Sequence, residues 1–174
     1  MLFDISNVYC YYHVKEMEVY GVKKEVKIFV SYAHRNEESV KAFIDEFRDY
    51  IQPSKKYNYT IWHDEKLICG EKWNEAIMKE VNECDLGLLM LSPSFLNSRY
   101  ISENELPVLL KSKFVLPIMI QNVDFSRHDL KGIEKIQVYS LKGKPYWPLG
   151  RKQQAKFIEG AFIKMEELLD KHIK

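Results

Sequence analysis

The hydrophobic positions of this chain alternate between short β-rich runs and longer stretches of helical spacing. The short runs are rich in apolar, aromatic and β-branched residues, which predicts five strands, at residues 27–32, 57–62, 86–91, 114–120 and 136–139. The run from Leu86 to Leu91 is continuously apolar, which is typical of a strand buried on both faces of a parallel sheet. We therefore expect 86–91 to be the central strand.

Between these runs, apolar residues recur every three or four positions, which predicts helices. The helical stretches cover about residues 40–51, 73–84, 101–111 and 157–169. Strands that alternate with helices favour a parallel sheet, because parallel strands need crossover connections and right-handed crossovers place helices on the sheet. The predicted fold class is α/β, with a doubly wound, five-stranded parallel sheet and helices on both faces.

In open sheets of this kind, ligands bind beyond the carboxyl ends of the strands, at the point where the strand order reverses. A functional site is therefore expected to use residues that directly follow the strands. In this sequence those segments are residues 32–35, 63–70 and 92–105.

The length of 174 residues is enough for one domain with a sizeable core. Residues 1–26 include an aromatic stretch without a clean period, and we interpret them as an N-terminal extension of unknown role, followed by a domain over 27–174. The chain carries 26 Lys and Arg against 25 Asp and Glu, so no strong field draws it to nucleic acid or to an anionic membrane. We expect neither partner.

The cysteine and histidine patterns argue against a disulfide framework and a structural metal. Cys10, Cys69 and Cys84 form an odd set without C-x-x-C spacing, and the five histidines are scattered. The N-terminus lacks the cationic and apolar regions of a signal peptide, and no stretch approaches the roughly 20 apolar residues of a membrane span. We expect a reduced, cytoplasmic protein.

Several common enzyme motifs are missing from the sequence. It has no G-x-G-x-x-G, no G-x-x-x-x-G-K-[ST] and no G-x-S-x-G, which argues against a Rossmann dinucleotide site, a P-loop and a nucleophile elbow. A receiver domain would share the expected strand order, but it needs paired acids after the first strand, where this chain has Ser31 to His34.

Three motifs follow one another in order along the chain. The first strand reads I-F-V-S-Y-A-H over 28–34, residues 62–73 read W-x-D-x-x-L-x-x-G-x-x-W, and residues 91–101 read L-S-P-S-F-L-N-S-R-Y-I before Glu105. This set resembles the TIR (Toll/interleukin receptor) domain, in particular its free-standing bacterial kind, over about residues 26–170. The late segments 143–145 (G-K-P) and 147–148 (W-P) are also similar to that family's pattern.

The resemblance implies a flavodoxin-like sheet and two kinds of function. Many bacterial and plant TIR domains are NAD+ glycohydrolases, which take NAD+ as substrate rather than as cofactor and release nicotinamide together with ADP-ribose or a cyclic variant of it. Others are non-catalytic interaction modules in signalling complexes. The resemblance also implies TIR–TIR assembly or homo-oligomers and a role in bacterial anti-phage signalling. Both kinds of function stay open at this point.

Glu105 stands where the family has its catalytic glutamate, shortly after a serine-aromatic segment. A carboxylate suits the reaction, because loss of nicotinamide builds positive charge on the ribose in an oxocarbenium-like transition state. The structural alternative is a capping box, Ser102-x-x-Glu105, in which Glu105 only satisfies backbone donors at a helix start. Pro107 argues against a regular helix from Ser102, because it would remove a backbone bond at the fifth helical position.

Aromatic side chains near the strand ends are candidates for stacking on the substrate, namely Tyr32, Trp62 and Tyr100. For Trp73, at helical spacing with Ile77, we favour packing between strand and helix over a place in the pocket. Many family members carry a tryptophan four residues before the glutamate, and this chain has Ile101 there, beside Tyr100.

Polar candidates for the substrate's ribose and phosphate oxygens come from two loops. Asp64 and Lys66 belong to the segment that resembles the family's mobile loop after the second strand, and their alternative is a solvated loop. Ser31 and Arg35 lie at the carboxyl end of the first strand, where both are candidates for binding phosphate. The alternative for Ser31 is that it caps a turn. His34 and His63 are expected to be ordinary surface residues.

Overall fold

The computed structural model describes residues 22–63 and 73–172. Its strands and helices, in chain order, are β1 (Lys24–Ser31), α1 (Glu37–Ile51), β2 (Tyr57–Trp62), α2 (Trp73–Glu83), β3 (Leu86–Leu91), α3 (Pro93–Leu96), a π-helical turn (Ile101–Glu105), α4 (Leu106–Ser112), β4 (Phe114–Met119) and α5 (Arg151–His172). Two short 3-10 turns, His34–Asn36 and Ile133–Lys135, lie in the connections. The predicted alternation of strands and helices is confirmed over these ranges.

The described strands form one parallel sheet in the order β2-β1-β3-β4. In register, Ile28 of β1 lies opposite Ile61 of β2 and Leu86 of β3. The chain passes from β1 outward to β2 and then returns across β1 to β3, so the strand order reverses between β1 and β3. This is the position at which a doubly wound sheet opens a ligand crevice at its carboxyl edge.

Alternate residues of the central strands face two separate cores, because successive strand side chains point to opposite sides of the sheet. Val26, Ile28 and Val30 of β1 pack in the core beneath α1 and α5. Phe29 points the other way, into the core beneath α2 and α4. All six residues of β3 are buried, as expected for a strand covered on both faces.

The expectation of five strands was wrong: the sheet of the described residues has four. The predicted fifth strand, residues 136–139, is reduced to one parallel bridge between Tyr139 and Ile118 of β4. In that bridge the Tyr139 amide donates to the Pro117 carbonyl, and the Met119 amide donates to the Tyr139 carbonyl.

The ladder stops at this bridge because its next hydrogen bonds cannot form. Toward Gln137 a parallel ladder would need an amide hydrogen from Pro117, which proline lacks. In the other direction the Met119 carbonyl is taken by the Tyr146 amide, and the Gln121 amide donates to Leu91. The Leu141 amide turns back to the Lys144 carbonyl instead of continuing a strand.

The first strand of the described residues begins earlier than the sequence pattern predicted, since β1 starts at Lys24 rather than Lys27. Residues 1–21 of the expected extension, together with Cys10, lie outside the described residues, as does Cys69. The remaining cysteine, Cys84, is a buried free thiol, and burial raises its pKa to about 11. Within the described ranges, no helix combines the length and the apolar character that crossing a membrane requires.

Candidate functional site

A cleft of about 370 Å³ opens at the carboxyl edge of the sheet, beside the ends of β1 and β2 and the beginning of α2. Its volume lies within the roughly 300–1,000 Å³ of ordinary small-molecule sites. The lining residues are Phe29, Val30, Tyr32, Ala33, His34, Arg35, Trp62, Trp73, Ile77, Ser94, Asn97, Ser98, Tyr100, Ile101 and Glu105. The cleft therefore lies where the reversal of strand order predicts a ligand crevice.

Glu105 is a buried acid in this cleft, with 6% of its surface exposed. One carboxylate oxygen, Oε2, accepts a hydrogen bond of 2.5 Å from the Ser31 hydroxyl. The capping box that the sequence offered as an alternative does not form: the Ser102 hydroxyl donates to the Arg99 carbonyl, and α4 begins only at Leu106. Pro107 follows directly after the π-helical turn, within a helical stretch that continues without a break from residue 99 to residue 112.

Ser31 is placed differently from either sequence interpretation. It is the last residue of β1, it is buried, and its side chain points to the same face of the sheet as Phe29, toward Glu105. It does not line the cleft, so its hydroxyl supports the carboxylate from behind. Its hydroxyl hydrogen is donated to Glu105.

The π-helical turn determines which aromatic residue accompanies Glu105. The Leu106 amide donates to the Ile101 carbonyl, five residues earlier, so this turn holds one more residue than an α-helical turn. Tyr100, five positions before Glu105, consequently stands on the same side of the turn and lines the cleft with it. Burial and the charge of Glu105 raise the pKa of Tyr100, as expected for a ring beside the carboxylate.

Ile101 stands four residues before Glu105, where many family members have a tryptophan. It also touches the cleft, but it is buried in the core beneath α2 and α4. Tyr100 is the half-buried aromatic ring at this wall. A one-residue shift between sequence spacing and structure is what a π-helical turn produces. An aromatic side chain therefore lies at this wall of the cleft although Ile101 replaces the usual tryptophan.

Two ring pairs form the aromatic walls. Trp62 stacks on Phe29 with centroids 5.2 Å apart and an interplanar angle of 12°. Trp73 lies 4.5 Å from Tyr100, whose hydroxyl donates to Asn74 at 2.7 Å. Trp73 is 42% exposed and lines the cleft, so the interpretation of this ring as packing between strand and helix was wrong.

The structure thus brings five of the predicted site residues together around one cleft, namely Tyr32, Trp62, Tyr100, Ile101 and Glu105. Asp64 and Lys66 lie outside the described residues, although Trp62 and Trp73 on either side of that segment both line the cleft.

Several polar residues that were not predicted from the sequence line the cleft. His34 is exposed, as expected, and lines the cleft beside Arg35. His63 was also expected at the surface, and that expectation was wrong, because His63 is buried. Ser94, Asn97 and Ser98 were not singled out, although their segment follows the central strand. Their position directly after β3 was the available signal, because loops at the carboxyl edge of a parallel sheet surround its ligand site.

Comparison with known families bears on the fold and its motifs. A sequence model described as "TIR domain" matches residues 28–153 of this chain. The chain belongs to the TIR domain family. The match runs from β1 into α5 and contains all the residues that line the cleft. The resemblance drawn from the three ordered motifs is confirmed.

A protein of Sinorhizobium fredii (strain NBRC 101917 / NGR234), described as "Uncharacterized protein y4lF", is similar to this TIR domain. The two are 27% identical over 129 residues, which is 70% of this chain and 38% of that protein. The chain thus spans less than half the length of this relative.

Proposed function

We propose that this TIR domain is an NAD+ glycohydrolase that cleaves the bond between nicotinamide and ribose, with Glu105 as its catalytic residue. The observation that carries the proposal is the placement of Glu105, a buried carboxylate that lines the cleft and is not engaged in a helix cap. Family membership supports the choice of substrate, because NAD+ cleavage is an activity that the family resemblance implies.

The proposed reaction needs a stabilising anion more than a general acid. The bond between ribose C1′ and the nicotinamide nitrogen breaks, and its electron pair neutralises the pyridinium ring, which leaves without protonation. Positive charge develops on the ribose, and the Glu105 carboxylate stabilises it directly or through a ribose hydroxyl. Water then adds to C1′ and releases a proton, giving ADP-ribose, or an internal nucleophile closes a cyclic product.

Other cleft residues have roles that follow from their chemistry. The rings of Tyr32, Trp62 and Tyr100 offer faces for the flat nicotinamide and adenine groups. Arg35 is exposed at the cleft, where its guanidinium is suited to bind the pyrophosphate. The contacts of Asp64 and Lys66 with ribose and phosphate oxygens remain predictions from the sequence.

Assembly of several TIR domains belongs to the same proposal, with bacterial anti-phage signalling as its setting. If assembly completes the site, NAD+ turnover per protomer rises with protein concentration. Turnover per protomer that is constant across a concentration range, in a protein that sedimentation shows to be monomeric throughout, would contradict this part of the proposal.

The activity is tested by incubating concentrated protein with NAD+ and separating the products by chromatography. We expect the wild type to release nicotinamide and Glu105→Gln to lower the rate by roughly 100-fold or more, because the variant keeps the shape but loses the charge. Glu103→Gln is the matched control: Glu103 lies in the same π-helical turn but is exposed and pairs with Arg99 at 2.8 Å.

Two outcomes would contradict the proposed function. A Glu105→Gln protein that cleaves NAD+ as fast as Glu103→Gln would show that Glu105 is not catalytic. Wild-type protein that leaves NAD+ intact at every concentration, yet associates with itself, would favour the non-catalytic interaction module that the family also contains.

A further inference from the structure

We propose that Ser31 is a positioning residue for the reaction: its hydroxyl holds the Glu105 carboxylate in the orientation that NAD+ cleavage requires. The inference rests on the proposed function and adds to it a residue that does not itself touch the substrate. It is carried by a buried serine–glutamate pair in which the glutamate lines the cleft and the serine does not.

Ser31 is a buried residue of the central part of the sheet. It closes β1, it is 1% exposed, and in register it lies opposite Leu89 of the central strand β3. A hydroxyl carried by a central strand has little freedom to move, because its backbone is fixed by the sheet on which both cores pack.

Glu105 comes from a less regular element. It ends the π-helical turn, and Pro107 follows in the first turn of α4. A glutamate side chain has three rotatable bonds, so its carboxylate needs external contacts to keep one orientation in the cleft. The hydrogen bond of 2.5 Å from Ser31 Oγ to Glu105 Oε2 is such a contact, and it is charge-assisted when the acid is ionised.

The hydroxyl of Ser31 acts through Glu105 and not on the substrate. A serine hydroxyl has a single hydrogen to donate, and here it is donated to the carboxylate. Removing it takes this donor away from one carboxylate oxygen at the cleft wall, and a displacement of about 1 Å at a reacting group costs up to roughly 100-fold in rate.

A second serine–glutamate pair in the same chain supplies the control. Ser54 is also buried, and its hydroxyl donates to Glu166 Oε1 at 2.6 Å. That pair joins the loop before β2 to α5, and neither residue lines the active-site cleft. Ser54→Ala therefore removes the same chemical contact without affecting the proposed reaction.

The test compares steady-state NAD+ cleavage by Ser31→Ala, Ser31→Thr and Ser54→Ala, at a temperature well below each variant's unfolding midpoint. We expect Ser31→Ala to lower kcat roughly 10- to 100-fold with KM changed by less than about twofold. Ser31→Thr, which keeps the hydroxyl, restores kcat, and Ser54→Ala has wild-type kcat despite a lower midpoint. Wild-type kcat in Ser31→Ala, or an equal loss in Ser54→Ala, would overturn the inference.

A measurement that needs no turnover separates this inference from the proposed function. In protein labelled with ¹³C at the glutamate carboxyl carbons, the Glu105 signal is identified by its loss in Glu105→Gln. We expect Ser31→Ala to shift that signal and Ser54→Ala to leave it in place. If wild-type protein proves inactive, the proposed function fails, while an unmoved Glu105 signal in Ser31→Ala overturns the positioning role in either case.

Discussion

Trp73 and Tyr100 face each other at the edge of the cleft, with ring centroids 4.5 Å apart and an interplanar angle of 46°. The Tyr100 hydroxyl also donates to Asn74, so two contacts join the first turn of α2 to the residue that precedes the π-helical turn. Trp73 keeps 42% of its surface exposed in this arrangement. Its ring therefore combines a fixed position with a face that a ligand can reach.

The first prediction concerns binding at this ring pair. Trp73→Ala should raise KM for NAD+ about tenfold, because stacking of a base on an aromatic side chain is worth roughly 1–3 kcal/mol by alanine substitution. The measurement is steady-state kinetics of nicotinamide release. Phe125→Ala is the control, since Phe125 is similarly exposed but does not line the cleft. Equal KM values for the two variants would show that the Trp73 ring does not bind substrate.

The second prediction concerns Gly160 in the middle of α5. Glycine is ordinarily unfavourable there, and Gly→Ala in an exposed helix stabilises by about 1 kcal/mol. Here a Cβ on Gly160 would collide with the Tyr139 hydroxyl, which donates to the Phe157 carbonyl at 3.0 Å. We expect Gly160→Ala to lower the free energy of unfolding by roughly 1–3 kcal/mol, measured by urea denaturation.

Removing the Tyr139 hydroxyl tests whether this atom causes the loss of stability in Gly160→Ala. In a Tyr139→Phe background the hydroxyl is gone, and Gly160→Ala should cost clearly less than in the wild type, although the ring itself stays close to the new Cβ. The four urea midpoints form a double-mutant cycle. Additive effects in that cycle would mean that the Tyr139 hydroxyl is not what requires glycine at this position.

The third prediction concerns Tyr146, a fully buried ring packed between Phe43 and Phe157. Within the part of the chain that the structure describes, its hydroxyl is buried without a hydrogen-bond partner. An unsatisfied buried polar group costs roughly 1–3 kcal/mol, so Tyr146→Phe should raise the free energy of unfolding by about 1 kcal/mol. Urea denaturation measures the change, and a clear loss of stability would refute the expectation.

The fourth prediction concerns the alkaline stability of the β2–α5 contact. The Tyr57 ring is buried and its hydroxyl donates to Asp170 at 2.9 Å; burial and then this hydrogen bond raise the pKa of Tyr57 to about 12. The unfolded chain releases this proton near pH 10. The stabilisation is therefore complete below about pH 10 and is lost as the pH rises toward 12.

Tyr57→Phe removes this titration. The difference in unfolding free energy between wild type and Tyr57→Phe should be roughly constant from pH 7 to 9 and should shrink between about pH 10 and 12. Urea titrations in a series of buffers measure it. A difference that stays constant up to pH 12 would mean that the Tyr57 hydroxyl titrates alike in the folded and unfolded chains.

The strands and helices were predictable from the sequence because each is specified by its own local pattern. The run 86–91 is apolar at every position, and it is the buried strand β3. The predicted fifth strand does not form, and the reason lies in the neighbouring strand and not in its own residues. Whether 136–139 pairs depends on the edge of β4, where Pro117 lacks the amide hydrogen that a longer ladder needs.

The site residues that directly follow the strands could be predicted from the sequence. Features of the site that depend on local backbone geometry were less predictable. Glu105 could be named from the motif, but its bond to Ser31 crosses the fold and has no sequence signal. The place of Tyr100 beside Glu105 in the cleft wall depends on a π-helical turn, which a count in α-helical turns does not predict.

The bond between Ser31 and Glu105 also has a consequence for folding, because its partners are 74 positions apart in the chain. No local segment can form it: the central strands must pair and the π-helical turn must pack on them before the carboxylate acquires its donor. A collapsed chain with native-like helices but loose packing therefore has no assembled site. During refolding, the contact between Ser31 and Glu105, and any activity that depends on it, should appear with completion of the sheet and not with the earlier appearance of helical structure.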